Sequence, residues 1–567
     1  MLKRLLPPIA ALLLAACTTV TETPLAPVEV GILALNDFHG ALEPPNQSVR
    51  VPGTEINAPA GGAAWLADAV ETARARYANN LTVAAGDLTG ASQLASSLFL
   101  DEPAVGVMNR IGLEYTALGN HEFDRGIDEL KRLQQGGCAR HTTREPCAVE
   151  PAFAGARYRY LAANVTGPDG STLFPATALK TFGSGEGAVT VGVVGLPLRD
   201  VPALVSPEGV AGYSFGDEVE AINRATDELK RAGADAVVVL IHEGLLTSES
   251  GIGECNQPTD ALGPILDRID PRVDVVVSGH THWAYICEWP SREAGDTILV
   301  TSAGRYGTIL TDIALSIDPA TDRVVARRAQ NLIVQSQPYR DVVPTDLVPR
   351  YTPRPEVAAY VKQYVDAAAE FATRKVGRLD APAPEGEDGL GGPLGNLIAD
   401  AQLAATRGAG AQIAFMNPFG IRADLIPAAD GSVTFGDIYR TQPFNNTLVT
   451  MTLSGAQLKA LLEQQFDPET PEQVLSISQG FAFAYDKTRP AGDRIVEMTL
   501  DGRPIDPAAD YRVTVSNFLA AGGDFFTVLT EGRDQVVGVS DIEAFEAWIA
   551  EGRTVPQEVR ATDRSGG

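Results

Sequence analysis

The N-terminal half of the chain alternates short, mostly apolar runs with segments of helical periodicity. No other feature restricts its fold as much. The runs are VGILAL (30–35), LTVAA (81–85), YTAL (115–118), VTVGVVGL (189–196), AVVVLI (236–241) and DVVVSG (274–279). Between them, AAWLADAVETARARYA (63–78) and GDEVEAINRATDELKRAGA (216–234) repeat their apolar residues at helical spacing. A strand without a polar face must be covered on both sides. The fold class predicted is therefore α/β, a layered domain with helices outside the sheet.

From about Ile333 the pattern breaks into the proline-rich run QSQPYRDVVPTDLVPRYTPRP (335–355). PEVAAYVKQYVDAAAEFATRK (355–375) then reads as one helix, with Pro355 suited to its first turn. A second, smaller α/β unit follows. The expected division is 1–27 export signal and tether, 28–335 first domain, 336–375 linker and connecting helix, 376–555 second domain, and 556–567 a loose polar tail. With 44% hydrophobic residues, both domains have ample material for a core. The net charge of −27 repels phosphate backbones at long range, which disfavours binding of a nucleic-acid polymer, and no such partner is expected. A small anionic substrate remains admissible where local cations reverse the field.

The N-terminus, MLKRLLPPIAALLLAACTTV, has two cations, an apolar stretch too short to span a bilayer well, and LAAC at 14–17. LAAC resembles the bacterial lipobox. That implies a lipid on Cys17, attachment to a membrane, and a periplasmic or cell-envelope lipoprotein. Thr18 in place of Asp points to the outer membrane if the host is Gram-negative. Cys138, Cys147, Cys255 and Cys287 suggest two disulfides in an exported chain, and three pairings are open. Cys138–Cys147 would close a short loop and leave Cys255–Cys287 as its complement.

The chain has only six histidines. His39 follows the first strand in LNDFHG, with Asp37 two residues before it. Asp87 follows the second in AAGDLTG, and Asn120 and His121 follow TALG. His242 follows VVVLI, and His280 and His282 follow VVVSG. All lie just past the C-terminal ends of predicted strands, the edge of an α/β sheet where ligands bind. Pairs at i, i+2 in extended backbone would point to one side, so Asp37/His39 and His280/His282 can each offer two ligands. One such residue is usually a cap or turn former, but seven in series point to a metal site. Imidazole, carboxylate and amide oxygen together suit zinc, manganese or iron. His141, inside the Cys138–Cys147 loop, is expected at the surface. Glu122 and Glu243 are expected to support loops.

In this order DxH (37–39), GD (86–87), GNHE (119–122), the His242 segment and GHTH (279–282) resemble the calcineurin-like metallophosphoesterase pattern. LNDFHG and GNHEFD are similar to the bacterial and animal 5′-nucleotidase family. The likeness continues at GNLIADA (395–401), NPFGIR (417–422), QPFNNTL (442–448) and NFLAAGGDFF (517–526). It implies a metallophosphoesterase β-sandwich flanked by helices, followed by a 5′-nucleotidase C-terminal domain that binds substrate. It also implies two divalent metal ions, zinc or manganese. Asp87 would bridge them, with Asp37, His39 and His282 on one and Asn120, His242 and His280 on the other. His121 would be the acid, oriented by Asp124.

The resemblance further implies a nucleotide substrate. Arg422 would grip its phosphate with Asn417 nearby, Phe444 and Phe518 would sandwich the base, and Asp524 would accept ribose hydroxyls. Activity on cyclic nucleotides or nucleotide sugars, or a binding lipoprotein without catalysis, are the alternatives. The sequence departs from the pattern at Pro418 and Phe419, where small residues are usual, at Asn445, and at Leu390, where relatives often carry an arginine.

Overall fold

The computed structural model describes residues 25–142, 144–247, 251–259, 261–293, 295–386, 389–468 and 470–566. The expected export signal and Cys17 lie outside the described residues.

The apolar runs form two six-stranded mixed sheets. The first is ordered Arg323–Ile333, Ile309–Asp318, Val28–Leu35, Asn79–Ala85, Tyr115–Ala117 and Arg159–Leu161, its last four strands parallel. The second is ordered Ala284–Pro290, Thr297–Ala303, Val275–Ser278, Ala236–His242, Val189–Pro197 and Thr177–Phe182, its middle four parallel. The period of two sends alternate side chains to opposite faces. Val30, Ile32 and Ala34 meet Val191, Val193, Val238 and Leu240 between the sheets. Leu33 and Leu35 pack outward with Leu66 and Val70 of the helix Ala63–Arg74. Val237, Val239 and Ile241 pack outward with Ile222 and Leu229 of the helix Glu218–Arg231. Both faces are apolar, which is why the sequence shows runs. Each fully buried Val, Ile or Leu contributes about 1.5–3 kcal/mol. The result is a β-sandwich flanked by helices, the α/β class expected.

The helix Pro355–Ala372 begins with its proline and lays Val357, Tyr360, Val361 and Tyr364 on the outer core of the first domain. The Tyr360 and Tyr364 hydroxyls donate to Glu150 Oε2 at 3.1 and 2.9 Å. A Cβ at Gly106 would stand 1.9 Å from the Tyr360 oxygen, so only glycine allows this crossing. Beyond it, a five-stranded sheet is ordered Ser476–Ile477, Ile413–Met416, Asp510–Ser516, Thr447–Ser454 and Arg533–Ser540. The helices Gly392–Thr406 and Asp541–Ala550 share a core beside it.

The cysteines pair as Cys138–Cys147 and Cys255–Cys287. The C-terminal tail is not loose, contrary to expectation. Ala561–Asp563 pairs in parallel with Phe481–Tyr485, and the buried Arg560 guanidinium holds both oxygens of Asp400 at 2.7 and 2.9 Å. A short edge strand and a distant counter-charge leave no local sign in a polar composition.

Candidate active site

The parallel strands of both sheets end at one rim, and the turns that follow them carry the candidate ligands inward. Asp37, His39, Asp87 and His242 are buried, and Asn120 is nearly so. The i, i+2 pairs do converge, but not through extended backbone. Asp37, His39, Asp87, His280 and His282 have φ between 47° and 72°. Left-handed backbone at non-glycine residues is costly and concentrates at functional sites. It lets two sharp turns meet from facing sheets. Gly119 stands beside them because a Cβ there would lie 2.1 Å from Asp87 Oδ1.

Two groups of donors share Asp37 and Asp87. In the first, His282 Nε2 lies 3.2 Å from His39 Nε2 and 3.4 Å from Asp37 Oδ1. In the second, His242 Nε2 lies 3.0 Å from Asp87 Oδ2, and His280 Nδ1 lies 3.2 Å from Asn120 Oδ1. Asp87 Oδ2 is also 3.7 Å from His39 Nε2, which puts this carboxylate between the groups. Asp37, His39 and His282 could hold one metal ion, and Asp37, Asp87 and His242 another; His39, Asp87 and His121 form a third such set.

The residues fit divalent cations. His242 Nδ1 donates to the Ala85 carbonyl at 2.7 Å, which turns the lone pair of Nε2 toward the Asp87 carboxylate. His39 Nδ1 similarly donates to the Gly90 carbonyl at 2.9 Å, and its Nε2 faces His282 Nε2. Acceptors facing acceptors at this range need a positive charge between them, and an imidazole fixed by its other nitrogen is the usual metal ligand. Burial would lower the pKa of His242, yet Asp87 and Asp37 outweigh it and push it up to about 10, so a positive charge, a proton or a cation, stands between its Nε2 and Asp87. Burial holds His39 and His282 well below the ordinary range and brings His280 to about 4, so these three are neutral. Burial raises Asp37, with Asp87 adding to it. For Asp87 burial acts upward, but His242 and His121 hold it well below the carboxylate range.

Glu122 supports the turns. Its carboxylate accepts from the backbone nitrogens of Asp87, Leu88, Thr89 and Gly119 at 2.6–3.1 Å. His121 Nδ1 lies 3.0–3.1 Å from both oxygens of Asp124, leaving Nε2 as its free end. Burial opposes its protonation, but Asp124 and Asp87 outweigh burial and raise its pKa. His141 is exposed, as expected.

The second domain closes over this rim. The capping box of Thr434 and Asp437 starts the helix Phe435–Thr441, whose Tyr439 hydroxyl bonds Ser97 Oγ of the first domain. The chain then turns into Phe444, whose ring stacks on His121 with centroids 5.7 Å apart and planes at 22°. Arg422 Cζ lies 5.9 Å from the Phe444 ring, and its Nη2 is buried without a hydrogen-bond partner. Asn417 Nδ2 donates to Asp524 Oδ2 at 2.7 Å, and burial pushes Asp524 up to about 6. Phe518 is half-buried and covers Gly523. Leu390 and Phe419 are exposed.

The calcineurin-like phosphoesterase profile matches residues 31–284, and the 5′-nucleotidase C-terminal domain profile matches residues 373–531. The chain belongs to the 5′-nucleotidase family. It is 28% identical to a crystal structure of 5′-nucleotidase precursor from Thermus thermophilus, which it matches with a TM-score of 0.76 over 94% of this chain and 99% of that one. A probable 5′-nucleotidase of Treponema pallidum is 26% identical over 565 residues, 89% of this chain and 88% of the relative. Endonuclease YhcR of Bacillus subtilis is 30% identical over 527 residues, 92% of this chain; the chain spans 40% of that relative's length. This 5′-nucleotidase family member is thus a metal-dependent phosphoric ester hydrolase.

Two residues in the family site escaped the sequence reading. Tyr306 places its ring 5.7 Å from that of His39 and 6.1 Å from that of His282, and Arg305 Nη1 lies 3.3 Å from His282 Nδ1. Both follow Thr297–Ala303, a parallel strand that ends at the same rim. The strand-end rule that marked the histidines covers them too, but neither residue is a usual metal ligand.

Proposed function

We propose that the protein is an exported two-metal nucleotidase that releases phosphate from nucleotides. One observation carries the reading: Asp87 Oδ2 lies 3.0 Å from His242 Nε2 and 3.7 Å from His39 Nε2, and Arg422, whose charge is felt by His39 and His121, keeps a buried guanidinium nitrogen without a partner. Asp37, His39 and His282 would hold one divalent ion, and Asn120, His242 and His280 the other, with Asp87 shared. Their imidazole, carboxylate and amide donors suit zinc or manganese. When bound, such ions supply Lewis acidity toward the phosphoryl group and an activated water for in-line attack.

The chain's own residues do the rest. Arg422 takes two phosphoryl oxygens with its planar fork. His121, held through Nδ1 by Asp124, presents Nε2 to the departing oxygen and gives it a proton. Phe444, together with Phe518, takes the base. Asp524, fixed by Asn417, accepts the ribose hydroxyls. The stack of Phe444 on His121 supports this layout, since it puts a base platform beside the acid.

The proposed division keeps residues 28–335 as catalytic domain, 336–375 as linker and helix, and 376–555 as substrate domain. Two disulfides support an oxidising compartment, and no helix among the described residues is long and apolar enough to cross a membrane. Attachment would come from a lipid on Cys17, at the outer membrane in a Gram-negative host. A phosphate-release screen over nucleoside mono- and diphosphates, cyclic nucleotides and nucleotide sugars, with zinc or manganese added, tests the reading. Release from none of them in a metal-loaded sample would refute it.

A further inference from the structure

The Tyr439 hydroxyl makes one contact in each domain. It donates to the Pro443 carbonyl at 2.9 Å, within the second domain, and it bonds Ser97 Oγ of the first. Ser97 Oγ also accepts from Arg125 Nη2 at 3.0 Å. Tyr439, Ser97 and Pro443 are buried, so their polar groups depend on protein partners. The chemistry of the end groups fixes the direction of this chain. A guanidinium only donates, a carbonyl only accepts, and each hydroxyl carries one hydrogen. All three contacts are satisfied together in one order: Arg125 donates to Ser97, Ser97 to Tyr439, and Tyr439 to Pro443.

Both ends of the chain lie at the cleft. Arg125 follows Asp124, the partner of His121, and is ion-paired with the buried Asp101. Asp101 Oδ2 accepts from Gly90 N at 3.1 Å, in the turn whose carbonyl takes His39 Nδ1. Arg144, from the Cys138–Cys147 loop, donates to the Ser97 carbonyl at 2.7 Å, so Ser97 is held at backbone and side chain alike. At the other end, Pro443 precedes Phe444, the ring stacked on His121. The backbone around Phe444 is tied at Thr441, whose carbonyl accepts from Arg422 N at 2.9 Å, and at Asn446, whose carbonyl accepts from Asp541 N at 2.8 Å. Between those ties, the Tyr439 hydroxyl grips the peptide that joins Pro443 to Phe444, and so sets where the ring leaves the backbone.

We infer that Tyr439 is a positioning residue for the reaction: its hydroxyl, oriented from the first domain by Arg125 through Ser97, holds the Phe444 ring against His121. This role rests on the nucleotidase reading above, in which Phe444 receives the base. Removing the hydroxyl leaves the Pro443 carbonyl buried without this donor, and the loop must shift to satisfy it.

The test is steady-state kinetics on a nucleoside monophosphate, with metal content, for metal-loaded wild type, Tyr439→Phe, Ser97→Ala, Phe444→Ala, and each of the first two combined with Phe444→Ala. Crystal structures of Tyr439→Phe and Ser97→Ala report the Phe444 ring without any substrate. Tyr439→Phe keeps the packed ring, so metal content should hold, and KM should rise about fivefold to tenfold with kcat within about threefold. Ser97→Ala should raise KM by about twofold to threefold, since Tyr439 keeps its bond to Pro443. In the Phe444→Ala background neither change should add more than about twofold, because the ring through which they act is gone. A merely structural role would add its full loss in both backgrounds. The Phe444 ring should leave His121 in the Tyr439→Phe crystal. Unchanged KM in Tyr439→Phe, additive losses in the double variant, or a ring still stacked on His121 would overturn the inference. If wild type cleaves no nucleotide, the nucleotidase reading fails and the crystal decides alone: a displaced ring upholds the hold on Phe444, and an unmoved ring removes it. If nucleotides are cleaved while ring and KM ignore Tyr439, the inference fails and the reading stands. Should Tyr439→Phe not fold, Ser97→Ala and its double variant decide in the same way.

Discussion

The two walls of the cleft are built in opposite ways. In the first domain the candidate ligands are buried or nearly so, five of the seven are held at left-handed backbone, and several are fixed from behind. Backbone carbonyls of Ala85 and Gly90 pin two imidazoles, and Glu122 gathers four backbone donors from two turns. In the second domain Arg422 keeps an unpartnered nitrogen, Phe444 and Phe518 are half-buried, and Leu390 and Phe419 face solvent. The Asn417–Asp524 pair is buried and satisfied there. A wall that performs chemistry must hold its groups in place before substrate arrives. A wall that recognises substrate can leave its donors and ring faces open for the ligand to complete.

The largest effect should come from breaking the rigid wall. Asp87→Asn removes the carboxylate shared by both donor groups. Elemental analysis should show lost metal, and turnover should fall by more than the ~100-fold that loss of an outer partner costs. Retained metal and activity would place the centre elsewhere. Next, His121→Ala should keep its metal and lose about 100-fold in kcat, the usual worth of a positioned acid. Loss of metal instead would mean that the alternative set of His39, Asp87 and His121 is the true one.

The open wall should respond more weakly, and selectively. Base stacking is worth roughly 1–3 kcal/mol, so Phe518→Ala should raise KM for nucleotides by about tenfold and leave p-nitrophenyl phosphate unchanged. Phe444→Ala should affect both substrates, because Phe444 also covers His121. Equal losses on both substrates in Phe518→Ala would make that ring a packing residue. The smallest effect lies behind this wall, at Asp541, whose backbone nitrogen donates to the Asn446 carbonyl at 2.8 Å. Burial pushes Asp541 from 3.8 up to about 7. The folded chain keeps a proton there that the unfolded chain has given up, so this residue lowers stability as pH rises through that interval. In urea titrations at pH 5 and pH 8, wild type should lose more stability than Asp541→Asn. Parallel losses would dismiss the titration.

The same contrast explains what the sequence could and could not disclose. The sandwich was legible because strands such as Val189–Pro197 are buried on both faces and so lack alternation. Five histidines at one rim were legible because parallel strands end together. The backbone that brings them together was not: φ near 50° at Asp37 and His39 comes from turns that pack against the facing sheet. Arg305 was missed since its contact with His282 joins two separate turns. The stack of Phe444 on His121 depends on how two domains dock, through contacts such as Tyr439 with Ser97, and no local pattern encodes that. The Arg560–Asp400 pair likewise spans most of the second domain.

The central claim is that two ions sit on either side of Asp87, and anomalous diffraction from manganese-loaded crystals tests it most directly. The account predicts two anomalous peaks sharing the Asp87 carboxylate, one beside Asp37, His39 and His282 and the other beside Asn120, His242 and His280, with His121 on neither. A single peak, or one coordinated by His121, would contradict it.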